Sequence, residues 1–248
     1  MRRLWFWSAL LTVAGALLIV LPPALGGSEQ PATPSVSTEA DARFAGPPHA
    51  PTVAVVGASF AAGIGAGNPN RAWPADLGRL INWRVVVSAD PGAGFVSPGD
   101  HDRGPFDRLT AALDLPRLRP DLVIVQGGHD DVGQPLALIG RRVGLLIDTI
   151  HREAPGARIG VLSVFSGQQG PTPAMRETDA TILASARHAD PSVLVFDPLA
   201  GPWAFPRGHD HLHPTPAGHQ DIAKRLAAGL VRAGVVNATH LTGDTRPS

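Results

Sequence analysis

The chain has 248 residues with 21 basic and 21 acidic side chains, so its formal net charge is zero and it offers no broad positive field to nucleic acid. It contains no cysteine, which excludes disulfides, thiolate zinc sites, a cysteine nucleophile and a lipidated N-terminal cysteine. Its length suits one α/β domain with extensions, whose core is large enough to fold without disulfides.

Residues 1–26 read as a targeting segment rather than as part of the fold. Arg2 and Arg3 precede residues 4–21, an apolar stretch broken only by Ser8, Thr12 and Gly15. These 18 residues sit at the short end of the roughly 17–25 that span a bilayer, with the arginines on the cytoplasmic side. Ala24-Leu25-Gly26 places small residues at the spacing a signal peptidase favours. A cleaved signal peptide and an uncleaved anchor both fit. Either brings this segment to the membrane and carries the rest of the chain across it. Residues 27–51, rich in Pro, Ser, Thr, Ala and Gly and without apolar periodicity, read as a flexible linker.

From residue 52 short apolar runs alternate with longer amphipathic stretches. Strands are predicted over 52–56, 84–88, 122–126, 158–164 and 193–196, and helices over 73–81, 106–113, 136–153, 173–188 and 216–233. Strands apolar throughout and separated by helices indicate a parallel sheet covered on both faces. The expected architecture is α/β, a three-layer αβα sandwich with a five-stranded parallel sheet of the flavodoxin-like kind. The domain is expected over 52–236, followed by a loose polar tail at 237–248 that includes the sequon Asn237-Ala238-Thr239. No internal repeat is present.

In such a sheet ligands bind outside the carboxyl ends of the strands. Gly57-Ala58-Ser59-Phe60 follows the first strand, Asp90-Pro91-Gly92-Ala93-Gly94 the second, and Gly127-Gly128-His129-Asp130-Asp131 the third. Asp210-His211-Leu212-His213-Pro214 lies beyond the fifth. Ser59 is either the N-cap of the following helix or a nucleophile, and a nucleophilic serine needs an adjacent base. The Asp-x-x-His spacing supplies one, with Asp210 accepting from one ring nitrogen of His213 so that the other faces Ser59. Gly92 and Gly94 serve a turn, and one of them can also present a backbone N–H to developing negative charge. His209, His211, His213 and His219 have a second reading as a metal site. Trp203 and Phe205 either line a pocket or cap the core.

Together these blocks resemble those of the SGNH/GDSL hydrolases, a family of esterases, lipases and carbohydrate deacetylases. Gly57-Ala58-Ser59-Phe60 is similar to the Gly-Asp-Ser-Leu block, with Ala58 in place of the aspartate. Gly92 resembles the second-block glycine. Gly128-His129-Asp130-Asp131 resembles the third block, Gly-x-Asn-Asp, and in particular the Gly-His-Asn-Asp form of rhamnogalacturonan acetylesterase-like members. Asp210-x-x-His213 matches the last block in spacing and order. The resemblance covers residues 52–233. It implies a Ser59–His213–Asp210 triad and an oxyanion hole formed by the amides of Ser59 and Gly92 and by the residue at 130.

The departure is Asp130, where the family has an asparagine that donates to the oxyanion. A carboxylate cannot donate unless protonated. Asp130 could be held neutral by Asp131, His129 could take over the role, or the two amides could suffice; a register shifted by one would put His129 itself at the asparagine position. The expected function is an extracytoplasmic serine esterase hydrolysing carboxylic esters, with deacetylation of cell-envelope or plant polysaccharides as the expected reaction. Its substrate is expected to be a small-molecule or glycan ester, and no metal or organic cofactor is expected. Two other readings are a non-catalytic glycan-binding domain on the same scaffold, suggested by the missing asparagine, and a metal-dependent hydrolase using the histidine-rich loop.

Overall fold

Every residue of β1 (Thr52–Gly57) is buried, so the strand must be covered on both faces. A computed structural model of the chain describes residues 51–201 and 203–240; the expected targeting segment, the expected linker up to residue 50 and residues 241–248 lie outside them. Successive side chains of a strand point to opposite faces. Ala54 and Val56 accordingly join one apolar cluster, and Val53 and Val55 join another.

β1 pairs in parallel with β2 (Arg84–Ala89) on one side and with β3 (Leu122–Gln126) on the other. β4 (Arg158–Leu162) and β5 (Leu194–Phe196) extend the sheet, giving the order β2-β1-β3-β4-β5, all parallel. α3 (Phe106–Ala111), α5 (Leu136–Glu153) and α6 (Pro173–Ala189) contribute to the cluster on one face. α1 (Ser59–Ala62), α2 (Trp73–Ile81) and α7 (Pro216–Arg232) contribute to the other. This is the expected αβα sandwich.

The helices form where apolar residues recur at helical spacing. On α5 the buried residues are Ile139, Val143, Leu146, Ile147 and Ile150, one stripe of a 3.6-residue period. α6 and α7 share a start signal. Thr172 and Thr215 accept from the amides of Met175 and Gly218, and each is followed by proline at the first helical position. There the missing N–H has no intrahelical use and φ is already set. Among the described residues no helix is long and apolar enough to cross a membrane.

Most predicted boundaries shift by at most one residue, and larger departures occur at β4, at α3 and in the tail. β4 stops at Leu162 rather than at 164, because the amide of Val164 turns to Oδ1 of Asp179 on α6 at 3.3 Å. α3 ends at Ala111, before Asp114 takes a left-handed conformation and starts a single turn, α4 (Leu115–Leu118). In the segment expected to be a loose tail, Ala238–His240 form a 3-10 turn.

Asp179 also yields a prediction. It is almost fully buried, and burial pushes its carboxyl up from the ordinary value of 3.8, against the hydroxyl of Ser163 that bonds to it. A carboxyl whose pKa rises on folding binds its proton more tightly in the folded state. Its contribution to folding stability is therefore fully present below 3.8 and is lost as pH rises through the folded pKa. Asp179→Asn keeps an acceptor for Val164 and removes the buried charge. The variant is expected to melt about 2–4 °C higher at pH 8, which corresponds to about 1 kcal/mol, with the gain gone below about pH 4. Equal melting temperatures at pH 8 would show that the ionised carboxylate is not a burden there.

Candidate active site

The parallel register levels the five strands at their carboxyl ends. Gly57 lies beside Ala89 and Gln126, Gln126 beside Leu162, and Leu162 beside Phe196. The chain order reverses direction between β1 and β3, and the loops that leave them open the crevice where such sheets bind ligands. Ser59 leaves β1 on one side of it, and residues 127–131 leave β3 on the other.

The turn that carries Ser59 depends on a close approach. A Cβ on Gly57 would come 2.5 Å from the Cβ of Ala61 and 3.1 Å from Oε1 of Gln126. Gln126, buried at the end of β3, takes the amide of Ala58 on its backbone oxygen at 3.3 Å and that of Ala61 on its side chain at 3.0 Å. Ala58 occupies the N-cap of α1, without a side-chain cap bond, and Ser59 is the first helical residue. The hydroxyl of Ser59 does not cap the helix; it meets Nε2 of His213 at 2.9 Å.

His213 sits on a loop closed by the bridge between Arg207 and Pro214 and by the amide of Gly208 donating to the His213 carbonyl at 2.8 Å. Within it Oδ1 of Asp210 accepts the amides of Leu212 and His213, each at 3.0 Å, and Oδ2 accepts Nδ1 of His213 at 2.6 Å. A proton on Nδ1 is thereby directed to the carboxylate, and Nε2 is left as the acceptor for the Ser59 hydroxyl. The hydrogen bond from His213 and the Leu212 amide hold Asp210 at about 2, so it is ionised throughout the neutral range although its side chain is 50% exposed. Arg207 donates to the carbonyl of Ser166 at 3.2 Å and lies over the Phe205 ring at 4.2 Å, tying this loop to the one after β4. Phe205 is buried against Phe60 and Phe165, and Phe60 lies 5.4 Å from the His213 ring, so Phe205 closes the core beneath the site. Trp203 is half-buried with its ring edge-on to Phe165.

The amides of Ser59 and Gly92 are the two expected to receive an oxyanion. Among the described residues neither the N–H of Ser59 nor that of Gly92 has a protein acceptor. Gly92 has φ of +74°, and a Cβ there would also overlap the Asp100 carboxylate. The loop that presents it is anchored by the buried carboxylate of Asp90, which accepts Nδ1 of His101 at 2.6 Å and the amides of His101 and Arg103.

The three residues after Gly128 diverge. Asp131, 0% exposed, turns into the protein and accepts the amides of Phe95 at 2.8 Å, Val96 at 2.9 Å and Ser97 at 3.1 Å. A Cβ on Gly94 would overlap that carboxylate, so glycine is needed for the approach. Asp130 is half-buried; its backbone carbonyl accepts the Ser97 hydroxyl at 2.6 Å, while its carboxyl has no hydrogen-bond partner among the described residues. Burial pushes that carboxyl up from the ordinary value; His129 opposes the shift, Asp131 and Asp100 add to it, and His213 opposes it. His129 places Nδ1 3.0 Å from the carbonyl of Phe165. Nδ1 must donate there, so in the neutral ring Nε2 is an acceptor and has no proton to offer.

The four loops singled out in the sequence thus meet at one edge. His209 and His211 are exposed, whereas both ring nitrogens of His213 and both of His219 are engaged within the protein. Among the described residues no three His, Asp or Glu side chains are grouped to hold a metal ion. Sequence reasoning overlooked Gln126, Asp90 and the anchoring role of Asp131. A lone glutamine ending the apolar strand Leu-Val-Ile-Val was the available signal for the first.

A parallel αβα sandwich with this edge is the fold of SGNH-type esterases. The structure superposes on a family two carbohydrate esterase from Clostridium thermocellum in complex with cellohexaose, with a TM-score of 0.60, 18% identity, and coverage of 73% of this chain and 64% of that one. It also superposes on the acetyl xylan esterase Est2A of the rumen bacterium Butyrivibrio proteoclasticus, with a TM-score of 0.57, 15% identity, and coverage of 75% and 65%. The chain spans just under two thirds of each, and at these identities the likeness is one of fold. In sequence, residues 55–220 match the GDSL-like lipase/acylhydrolase family. Over 191 residues the chain is 30% identical to GDSL lipase Rv0518 of Mycobacterium tuberculosis, covering 71% of this chain and 79% of the relative. The chain belongs to the GDSL-like lipase/acylhydrolase family and is an ester-hydrolysing enzyme.

Proposed function

We propose that Ser59, His213 and Asp210 form the catalytic triad of an extracytoplasmic esterase that removes small acyl groups, acetyl foremost, from polysaccharides. The observation that carries this reading is the continuous relay from Asp210 to His213 at 2.6 Å and from His213 to Ser59 at 2.9 Å. Nε2 of His213 takes the Ser59 proton as Oγ attacks the acyl carbon. The oxyanion is received by the amides of Ser59 and Gly92 and by Asp130 in its acid form. Collapse expels the alcohol, which takes the proton back from His213. Water then cleaves the acyl-enzyme with the same base, releasing the carboxylic acid and restoring Ser59.

The glycan substrate is supported by the carbohydrate esterases that share this fold and by the half-exposed Asp210, which puts the triad at an open rim where a polymer can lie. Extracytoplasmic placement is supported by Arg2 and Arg3 ahead of the apolar stretch 4–21, a segment that would enter or cross the membrane. The test is a substrate panel on the purified protein, running p-nitrophenyl esters from acetyl to palmitoyl beside O-acetylated xylan and peptidoglycan. Acetate release from a glycan, with acetyl the preferred aryl ester, is expected. A preference for long acyl chains with no acetate released would overturn the substrate assignment.

A further inference from the structure

The two halves of the relay come from positions 154 residues apart, and their contact tolerates little error. Misplacing reacting groups by about 1 Å can cost on the order of 10² in rate. One buried side chain outside the relay connects the segments that carry both. His219, on the first turns of α7, is 0% exposed. Its Nδ1 accepts the amide of Trp73 at 3.2 Å, and its Nε2 lies 3.0 Å from the carbonyl of Ile64. Only one neutral tautomer satisfies both partners, with the proton on Nε2. Burial holds the ring at about 4, so it is neutral wherever an esterase of this kind would work.

Each bond reaches a different part of the site's frame. The amides of Gly63 and Ile64 both donate to the carbonyl of Ser59, at 3.1 and 3.0 Å, so the residue whose carbonyl His219 holds is itself tied to Ser59. Trp73 opens α2, whose N-cap, Ala72, offers no side-chain acceptor, so His219 supplies one from another helix. The amide of His219 donates to Thr215, and that of Thr215 to Pro206, at 2.9 Å each, beside the bridge that closes the His213 loop. Between them lies Gly65, with φ of +86°, where a Cβ would overlap the carbonyl of Pro214 and come 3.6 Å from the Cβ of His213. The loop after the serine therefore presses directly on the loop of the histidine.

We propose that His219 is a positioning residue, setting the distance between Ser59 and His213 through its bond to Ile64, while its bond to Trp73 serves stability. The inference rests on Ser59 and His213 being nucleophile and base, which Ser59→Ala tests separately. A residue that merely filled the core would be replaceable by an apolar side chain of similar size. H219L removes both bonds. H219N retains an acceptor near the Nδ1 position, and H219Q a donor near that of Nε2. Each variant would be measured for kcat and KM on a soluble acetyl ester, for its rate of labelling by a fluorophosphonate, and for melting temperature.

H219L is expected to lower kcat about 10–100-fold with KM changed less than about threefold. H219Q should recover at least about tenfold more kcat than H219N, with labelling rates following kcat, whereas H219N should recover more of the melting temperature. Folded H219L with kcat within about twofold of the native value would overturn the proposal. If H219L does not fold, the contrast between Gln and Asn decides, and equal kcat in those two would overturn it as well.

Discussion

Ser59→Ala is expected to lower kcat/KM for a small acetyl ester by about 10⁴–10⁶-fold while shifting the melting temperature by less than about 1 °C. The contrast between the two readouts follows from the local structure. Among the described residues the hydroxyl's hydrogen bond is to Nε2 of His213, it does not cap α1, and the turn is held by Gln126 through the amides of Ala58 and Ala61. Removing Oγ therefore deletes the proposed nucleophile and leaves the frame. The amides of Ser59 and Gly92 remain, and in the proposed mechanism they supply the residual rate over water. His213→Ala should match the loss, and the double variant should be no worse than either, because nucleophile and base act as one unit. Asp210→Asn should cost about 10⁴, since an amide there no longer holds the imidazole in the tautomer that leaves Nε2 free. Activity in Ser59→Ala within tenfold of native, or fluorophosphonate labelling undiminished by it, would remove Ser59 from the mechanism.

The layers of this fold are written in periodicities that survive without tertiary information. β3 and α5 occupy the residues predicted for them because one is a short apolar run and the other a long stripe of helical period. Where prediction and structure part, a distant group intervenes. Nothing local to Val164 announces that its amide will leave the ladder for Asp179 on another helix. The site behaves likewise. Ser59 stands at the start of its helix, where a sequence alone reads it as cap or nucleophile, and only a histidine arriving from the far end of the chain decides where its hydroxyl points. Two consecutive aspartates at 130 and 131 look alike in the sequence; the three amides of residues 95–97 select Asp131 as the buried anchor. His219 was the legible residue read differently. It lies three, four and seven positions before Ile222, Ala223 and Leu226 on the buried stripe of α7, a spacing that marks it as interior rather than as a metal ligand beside the histidine-rich loop.

Asp130→Asn is expected to raise kcat at pH 8 by about 10-fold or more, an unusual direction for a substitution at an active site. In the proposed oxyanion hole, residue 130 as a carboxylate has no proton to donate and would set negative charge against the developing oxyanion; a missing donor of this kind typically costs about 10²–10³. Its neighbours cannot stand in. Asp131 is committed to three backbone amides, and His129 in its neutral form spends its proton on Phe165. Burial pushes the Asp130 carboxyl up, which favours the acid form that can donate, but that form is lost as pH rises through the shifted pKa. Asparagine donates at every pH. The ratio of variant to native kcat should therefore be largest at alkaline pH and fall toward one as pH is lowered, where Asp130 regains its proton. Wild-type activity should in turn fade on the alkaline side earlier than that of the variant. A ratio at or below one at pH 8 would show that Asp130 acts as a carboxylate, and the two amides alone would then have to hold the oxyanion.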